Sequence, residues 1–217
     1  MKVMIISTIV VTRSNSCHVK TLHSVLRLNI MCMRKNGIQN QVIFVNDDPF
    51  EKARIIEKQM PISDRVFFID FGIQVDEDSM ENIFNDNVGH NIIVFPSVKE
   101  GINWDMFKEK VLSKSNEPIH QMGLEFDTTL GKRLVGDIYQ VDKSDAKSWV
   151  IMCKPTLKKI RNNRYGSSKV PPKFGAMFSK FQEYGVNIVA FTAARLVNVY
   201  PHECIGNIVN SAGVKTT

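Results

Sequence analysis

Two apolar runs that end in carboxylates constrain this chain more than any other feature. The first is Val42-Ile43-Phe44-Val45, followed by Asn46-Asp47-Asp48. The second is Val66-Phe67-Phe68-Ile69, followed by Asp70-Phe71-Gly72 and then by Asp76-Glu77-Asp78. Runs that are apolar at every position read as strands buried on both faces, the pattern of a parallel sheet covered by helices. In such sheets ligands bind in the crevice beyond the carboxyl ends of the strands. Acids at two neighbouring strand ends therefore face one cleft, which suits a divalent cation and sugar hydroxyls.

The rest of the chain supports an α/β order. Met4 to Val11 reads as the first strand. Val19 to Asn36 reads as a helix, with apolar residues at Leu22, Val25, Leu26 and Met33 and Gly37 as its stop. Phe50 to Gln59 is a short helix ended by Pro61, and Asp78 to Phe84 starts another with Asp78 as its cap. Further strands are expected at Asn91 to Phe95, Trp149 to Cys153 and Asn187 to Phe191, and helices at Ile102 to Leu112 and Phe174 to Tyr184. This is an α/β sandwich in a single domain, residues 1–217, with a nucleotide-binding half over 1–100 and a variable half over 101–217.

Charge and cysteine placement exclude several classes. Lys154, Lys158, Lys159, Arg161, Arg164, Lys169 and Lys173 occur with no acid between them, so one segment accounts for the formal charge of +6. A local basic segment argues against a nucleic-acid coat and for an anion site or a solvated loop. Its Gly, Ser and Pro content suits a mobile lid over an anionic ligand. Cys17, Cys32, Cys153 and Cys204 form no CxxC pair, which points to free thiols in a reducing, cytoplasmic setting. No apolar run is long enough to span a membrane.

Asp70-Phe71-Gly72 spells the metal-binding triplet of protein kinases, but the catalytic-loop segment and Gly-rich loop that accompany it are missing. A different set of segments fits. Ile9-Val10-Val11-Thr12-Arg13-Ser14-Asn15, Thr21-Leu22-His23-Ser24-Val25-Leu26, Val45-Asn46-Asp47-Asp48 and Phe68-Ile69-Asp70-Phe71-Gly72 occur in this order within roughly the first 85 residues. Together they resemble the nucleotide-sugar glycosyltransferases of the GT-A fold. The chain also resembles the N-terminal glycosyltransferase domain of a large chlorella-virus protein, which implies a fragment of a longer chain working in the host cytoplasm.

The resemblance implies a GT-A-like α/β/α sandwich around a central, mostly parallel sheet. It implies nucleotide contacts from Thr12, Arg13, Asp47, Asp48, Asp70, Phe71 and Gly72, and Mn²⁺ (or Mg²⁺) held through Asp70. Gly72 replaces the second acid of the family's metal-binding triplet, so the shell needs other help; His202 is the candidate, with Asp76 and Asp78 as a further option. Asp at position 72 is expected to be tolerated, unless Gly72 has positive φ. The family's usual acid before the late helix is missing. A catalytic base then comes from Asp127, Glu125 or Asp137, or the enzyme retains configuration and needs none. Trp104 and Trp149 are candidates to line the sugar pocket.

The leading expectation is a metal-dependent glycosyltransferase. It moves a sugar from a UDP-sugar to a glycan acceptor, with viral capsid glycan synthesis as the expected setting. Residues 101–217 serve as the acceptor half, with neither nucleic acid nor a membrane span involved. The runner-up is a sugar-phosphate nucleotidyltransferase, which usually carries a Gly-rich loop after its first strand; Thr12-Arg13-Ser14-Asn15-Ser16 has no glycine. A third possibility is a binding module whose basic segment docks on anionic surfaces.

Overall fold

The computed structural model describes residues 3–85 and 89–199. The strands are β1 (Met4–Thr12), β2 (Ile38–Asn46), β3 (Arg65–Ile69), β4 (Ile73–Val75), β5 (Ile92–Val94), β6 (Thr128–Val135), β7 (Ile138–Ser144), β8 (Ser148–Met152), β9 (Ile188–Phe191) and β10 (Leu196–Asn198). The helices are α1 (Val19–Arg34), α2 (Pro49–Gln59), α3 (Glu77–Met80), α4 (Trp104–Leu112), α5 (Cys153–Asn162) and α6 (Phe174–Glu183).

The central sheet has eight strands in the order β2-β1-β3-β8-β5-β9-β7-β6, and β10 pairs with β4 in a separate two-stranded sheet. β1 is parallel to β2 and β3, and β5 to β9. β8 runs against both its neighbours, β3 and β5. The carboxyl ends of β1, β2, β3, β5 and β9 therefore lie along one end of a mixed, mostly parallel sheet.

Both faces of the sheet are covered at its centre, where residues 66–69 are fully buried as their unbroken apolar run predicts. Residues 42–45 correct the expectation, because β2 is an edge strand with Phe44 exposed and Val42 and Ile43 only partly buried. Ile9, Val66, Phe68, Trp149 and Ile151 pack on the side of α2, α5 and α6, with Ile56, Ile160, Phe178 and Phe181. Ile6, Val10, Phe67, Ile69 and Val150 pack on the other side with Val25, Leu28 and Met31 of α1. Successive residues of a strand point to opposite faces, so two-sided burial demands apolar residues throughout.

Several expectations are corrected. In α1 the inward residues are Thr21, Ser24, Val25, Leu28, Met31 and Cys32, while Leu22, Leu26 and Met33 are exposed. The buried stripe is partly polar because it docks on backbone: Thr21 donates to the Asp70 carbonyl, and Ser24 bonds the amide and carbonyl of Val75. The basic segment is not one loop. Its first part is α5, which buries Cys153, Thr156 and Ile160.

α5 also begins at the wrong end of the sheet for a lid. β8 is antiparallel, and the Cys153 amide bonds the carbonyl of Asp64, just before β3. Lys154 pairs with Asp64 there, opposite the strand-end acids. Trp149 is fully buried, its ring stacked on Phe68 at 4.9 Å, so it lines no sugar pocket. Trp104 is exposed at the start of α4. The β6–β7 hairpin falls in a stretch with no clear period in the sequence. Cys17, Cys32 and Cys153 are free thiols. No helix among the described residues is long and apolar enough to cross a membrane.

Candidate functional site

The chain leaves β1 through a two-residue turn. Ser14 and Asn15 both have positive φ, 48° and 58°, and Arg13 and Ser16 exchange backbone hydrogen bonds of 3.0 and 2.9 Å. This is the geometry of a hairpin turn with a left-handed pair at its tip, which Asn tolerates better than most residues. The turn sets Arg13 over the cleft, its guanidinium 5.0 Å from the centre of the Phe71 ring. Thr12 is buried and ties β1 to β2, donating to the Val45 carbonyl at 3.1 Å.

The end of β2 brings in two acids with different duties. Asp48 is the N-cap of α2, its Oδ1 accepting from the Glu51 amide at 2.7 Å. Asp47 faces the cleft and holds two cations. Its Oδ2 accepts from Arg13 Nε at 2.9 Å, and its Oδ1 from Lys52 Nζ at 2.7 Å. Burial pushes the Asp47 carboxyl up, but the Lys52 and Arg13 bonds outweigh it and hold the group below the ordinary carboxylate range.

Asp70 stands at the end of β3, only 9% exposed. Its amide donates to the Lys147 carbonyl at 3.0 Å and its Oδ1 accepts from the Phe71 amide at 2.8 Å. Burial raises its carboxyl; Lys52 and the Phe71 amide pull it back in part, and the charge of Asp47 adds to the rise. Gly72 follows at φ +79°, in the turn closed by the Ile73 amide on the Asp70 carbonyl. The Val199 amide donates to the Gly72 carbonyl at 2.9 Å, and a Cβ on Gly72 would meet the Val199 carbonyl oxygen at 2.7 Å. The strand from Leu196 thus closes over Gly72, which is the positive-φ alternative set out above.

These residues do not fit a metal held by the protein's own side chains. Asp70 contributes one carboxylate oxygen with no hydrogen-bond partner among the described residues. Both oxygens of Asp47 are engaged, and position 72 has neither the backbone nor the space for an acid. Asp76 is the N-cap of α3, accepting from the Ser79 amide at 3.0 Å; this corrects the expected cap, Asp78, which lies in the first turn. No group of three or more His, Cys, Asp or Glu among the described residues is arranged to hold a cation. His202 lies outside the described residues.

Of the three acids expected as bases, Asp127 stands nearest the site, bonded by the backbone of Lys147, whose carbonyl accepts from the Asp70 amide. Asp127 is buried, with Oδ1 bonded by the Ser97 amide (3.1 Å) and the Thr128 hydroxyl (2.8 Å) and Oδ2 by the Ser97 hydroxyl (2.5 Å). Burial raises its carboxyl, against the pull of these bonds. Glu125 is exposed and paired with Lys99. Asp137 is exposed in the β6–β7 turn, where its carbonyl accepts from the amide and hydroxyl of Thr192. From Asp70 on β3 to the start of β7 there are four strand spacings, on the order of 19 Å.

Lys52 is the cleft residue that the sequence did not single out. A lysine five residues after a strand-end acid looks like any solvated helix lysine. The available signal was its position four residues after the cap Asp48, on the helix face that turns back toward the strand end. Beside these residues, at the ends of β1 and β2, a cavity of about 500 Å³ is lined by Thr12, Asn15, Cys17, Phe44, Asn46 and Glu51.

No protein-family model matches the sequence, and no curated protein does. Solved structures do share the fold. A197 from STIV is 12% identical, with a TM-score of 0.52 over 91% of this chain and 87% of its own. GalNAc-T7, solved with UDP, GalNAc and Mn²⁺, is 10% identical with a TM-score of 0.52; the match covers 93% of this chain and 45% of GalNAc-T7. The chain thus spans under half of that structure. HddC from Yersinia pseudotuberculosis is 8% identical over 95% of this chain and 99% of its own, at a TM-score of 0.46, too low to carry an argument. The architecture is GT-A-like.

Proposed function

We propose that this chain is a glycosyltransferase that binds a UDP-sugar at the ends of β1, β2 and β3 and passes the sugar to a glycan acceptor. The observation that carries this is the convergence of Arg13, Lys52 and Asp70 on one crevice, beside a cavity of about 500 Å³, at the carboxyl ends of parallel strands. Cavities of roughly 300–1,000 Å³ suit small ligands. Two cations suit a diphosphate, and the adjoining cavity has room for the nucleoside. The fold shared with GalNAc-T7 and the four ordered sequence segments favour a UDP-sugar over other anions.

In this role the bond between the sugar's anomeric carbon and the diphosphate oxygen breaks, its electron pair leaving with the diphosphate. The acceptor hydroxyl oxygen attacks that carbon and releases its proton to the departing diphosphate or to water. Fixed cations are most useful where charge develops on the departing diphosphate, and the remainder of the task is orientation. The resemblance implies Mn²⁺ or Mg²⁺, whose shell the described residues do not build.

A panel of UDP-, GDP- and CMP-sugars tests the proposal, with release of the nucleotide as the readout and metal present. UDP release from at least one UDP-sugar, faster with an acceptor glycan, is the expected result. Pyrophosphate release from a nucleoside triphosphate and a sugar phosphate, with no turnover of nucleotide sugars, would replace it with a nucleotidyltransferase.

A further inference from the structure

The lysine in the crevice has an unusual setting. Lys52 is 9% exposed. Most lysines bury the stem and keep the ammonium in water, because a desolvated charge is costly without partners. Here the ammonium bonds Asp47 at 2.7 Å and lies 5.8 Å from the centre of the Phe174 ring on α6. Asp47 is shared with Arg13, so one carboxylate serves two cations and the trio has one positive charge more than it uses internally. That charge faces Asp70, whose carboxyl burial pushes toward the neutral form, so Asp70 offsets it only in part. An ammonium has three hydrogens to donate, and Asp47 takes one.

We propose that Lys52 is the ammonium that binds the diphosphate of the donor, and that Asp47 is a clamp holding Lys52 and Arg13 in place and not a contact to the base or ribose. This rests on the nucleotide-sugar reading for the identity of the ligand, but the anion site stands on the trio's geometry alone. Arg13 is fixed from two sides, by Asp47 and by the Phe71 face, so both cations are ordered before the ligand arrives. Preorganised donors lose little entropy on binding.

The test is calorimetric titration of UDP, inorganic pyrophosphate and uridine in EDTA, on the wild type, Lys52→Met and Lys52→Arg. Charge-assisted hydrogen bonds of this kind are worth roughly 10- to 100-fold in affinity. Lys52→Met is therefore expected to weaken UDP and pyrophosphate by about 10-fold or more while leaving uridine unchanged, and Lys52→Arg to recover most of the loss. Lys52→Gln is made alongside, so that a folding failure of the methionine variant does not decide the outcome. Equal pyrophosphate affinity in the wild type and a folded neutral variant would overturn the proposal, as would a wild type that binds neither UDP nor pyrophosphate in EDTA. Loss of pyrophosphate binding in the variants upholds the anion site even where no nucleotide sugar is turned over, so the two readings fail separately.

Discussion

Gly72→Asp, which writes in the metal triplet of the glycosyltransferases that the sequence resembles, lowers stability by roughly 2–4 kcal/mol and creates no metal site. Gly72 sits at φ +79°, a conformation that costs a residue with a side chain about 1–3 kcal/mol. The new Cβ would also stand 2.7 Å from the Val199 carbonyl oxygen, a backbone atom of the residue whose amide donates to the Gly72 carbonyl. The strand must therefore move, and with it the β4–β10 pairing that seats Asp70's loop. Urea unfolding of the variant checks this: a midpoint equal to the wild type, with tighter Mn²⁺ binding, would show that the loop accepts the acid.

Asp127→Ala has the second large effect, and it is expected on stability more than on chemistry. The Asp127 carboxylate is surrounded by donors: the Ser97 amide and hydroxyl and the Thr128 hydroxyl. Removing it leaves buried donors without partners, at a cost on the order of 3 kcal/mol. Asp127→Asn keeps the shape and part of the bonding and is expected to cost about half of that. The comparison also has a pH sign. Burial raises the carboxyl in the folded protein, so the folded state holds its proton more tightly than the unfolded chain. Lowering the pH from neutrality toward about 4 therefore stabilises the wild type relative to Asp127→Asn. A stable Asp127→Ala protein that binds UDP but has lost all turnover would make Asp127 a catalytic base after all.

The sheet was legible because its physics is local. The run of residues 66–69 is apolar at every position, ends in an acid and is buried on both faces. Residues 42–45 have the same pattern but lie on the edge strand β2, where Phe44 is exposed. The packing of α1 was harder, because Thr21 and Ser24 face inward to hold the backbone of Asp70 and Val75. A polar residue whose partner is a distant carbonyl reads as exposed until that carbonyl is in place. The β6–β7 hairpin was missed for a related reason: its register shifts break the two-residue period that marks a strand. The basic segment misled because charge alone does not say which end of a sheet it lies on. β8 delivers the start of α5 to the far end, whereas Lys173 is the N-cap residue of α6 beside Phe174, whose ring faces Lys52 at the crevice. In the site, Arg13, Asp47 and Asp70 were visible as strand-end residues. Lys52 was not, since its significance depends on burial and on the two acids near it.

The central claim is that the crevice around Asp70 binds a nucleotide diphosphate, and one comparison tests it most directly. UDP is titrated calorimetrically into the wild type and into Asp70→Asn, with Mn²⁺ and again in EDTA. The substitution is isosteric and Asp70's shared bonds are few, so folding is expected to be retained. The account predicts UDP binding by the wild type and a change of about 10-fold or more on substitution. In EDTA the change is toward tighter binding, because an anion beside the diphosphate has been removed. A wild type that binds no UDP under either condition, or isotherms that coincide for the two proteins, would contradict it.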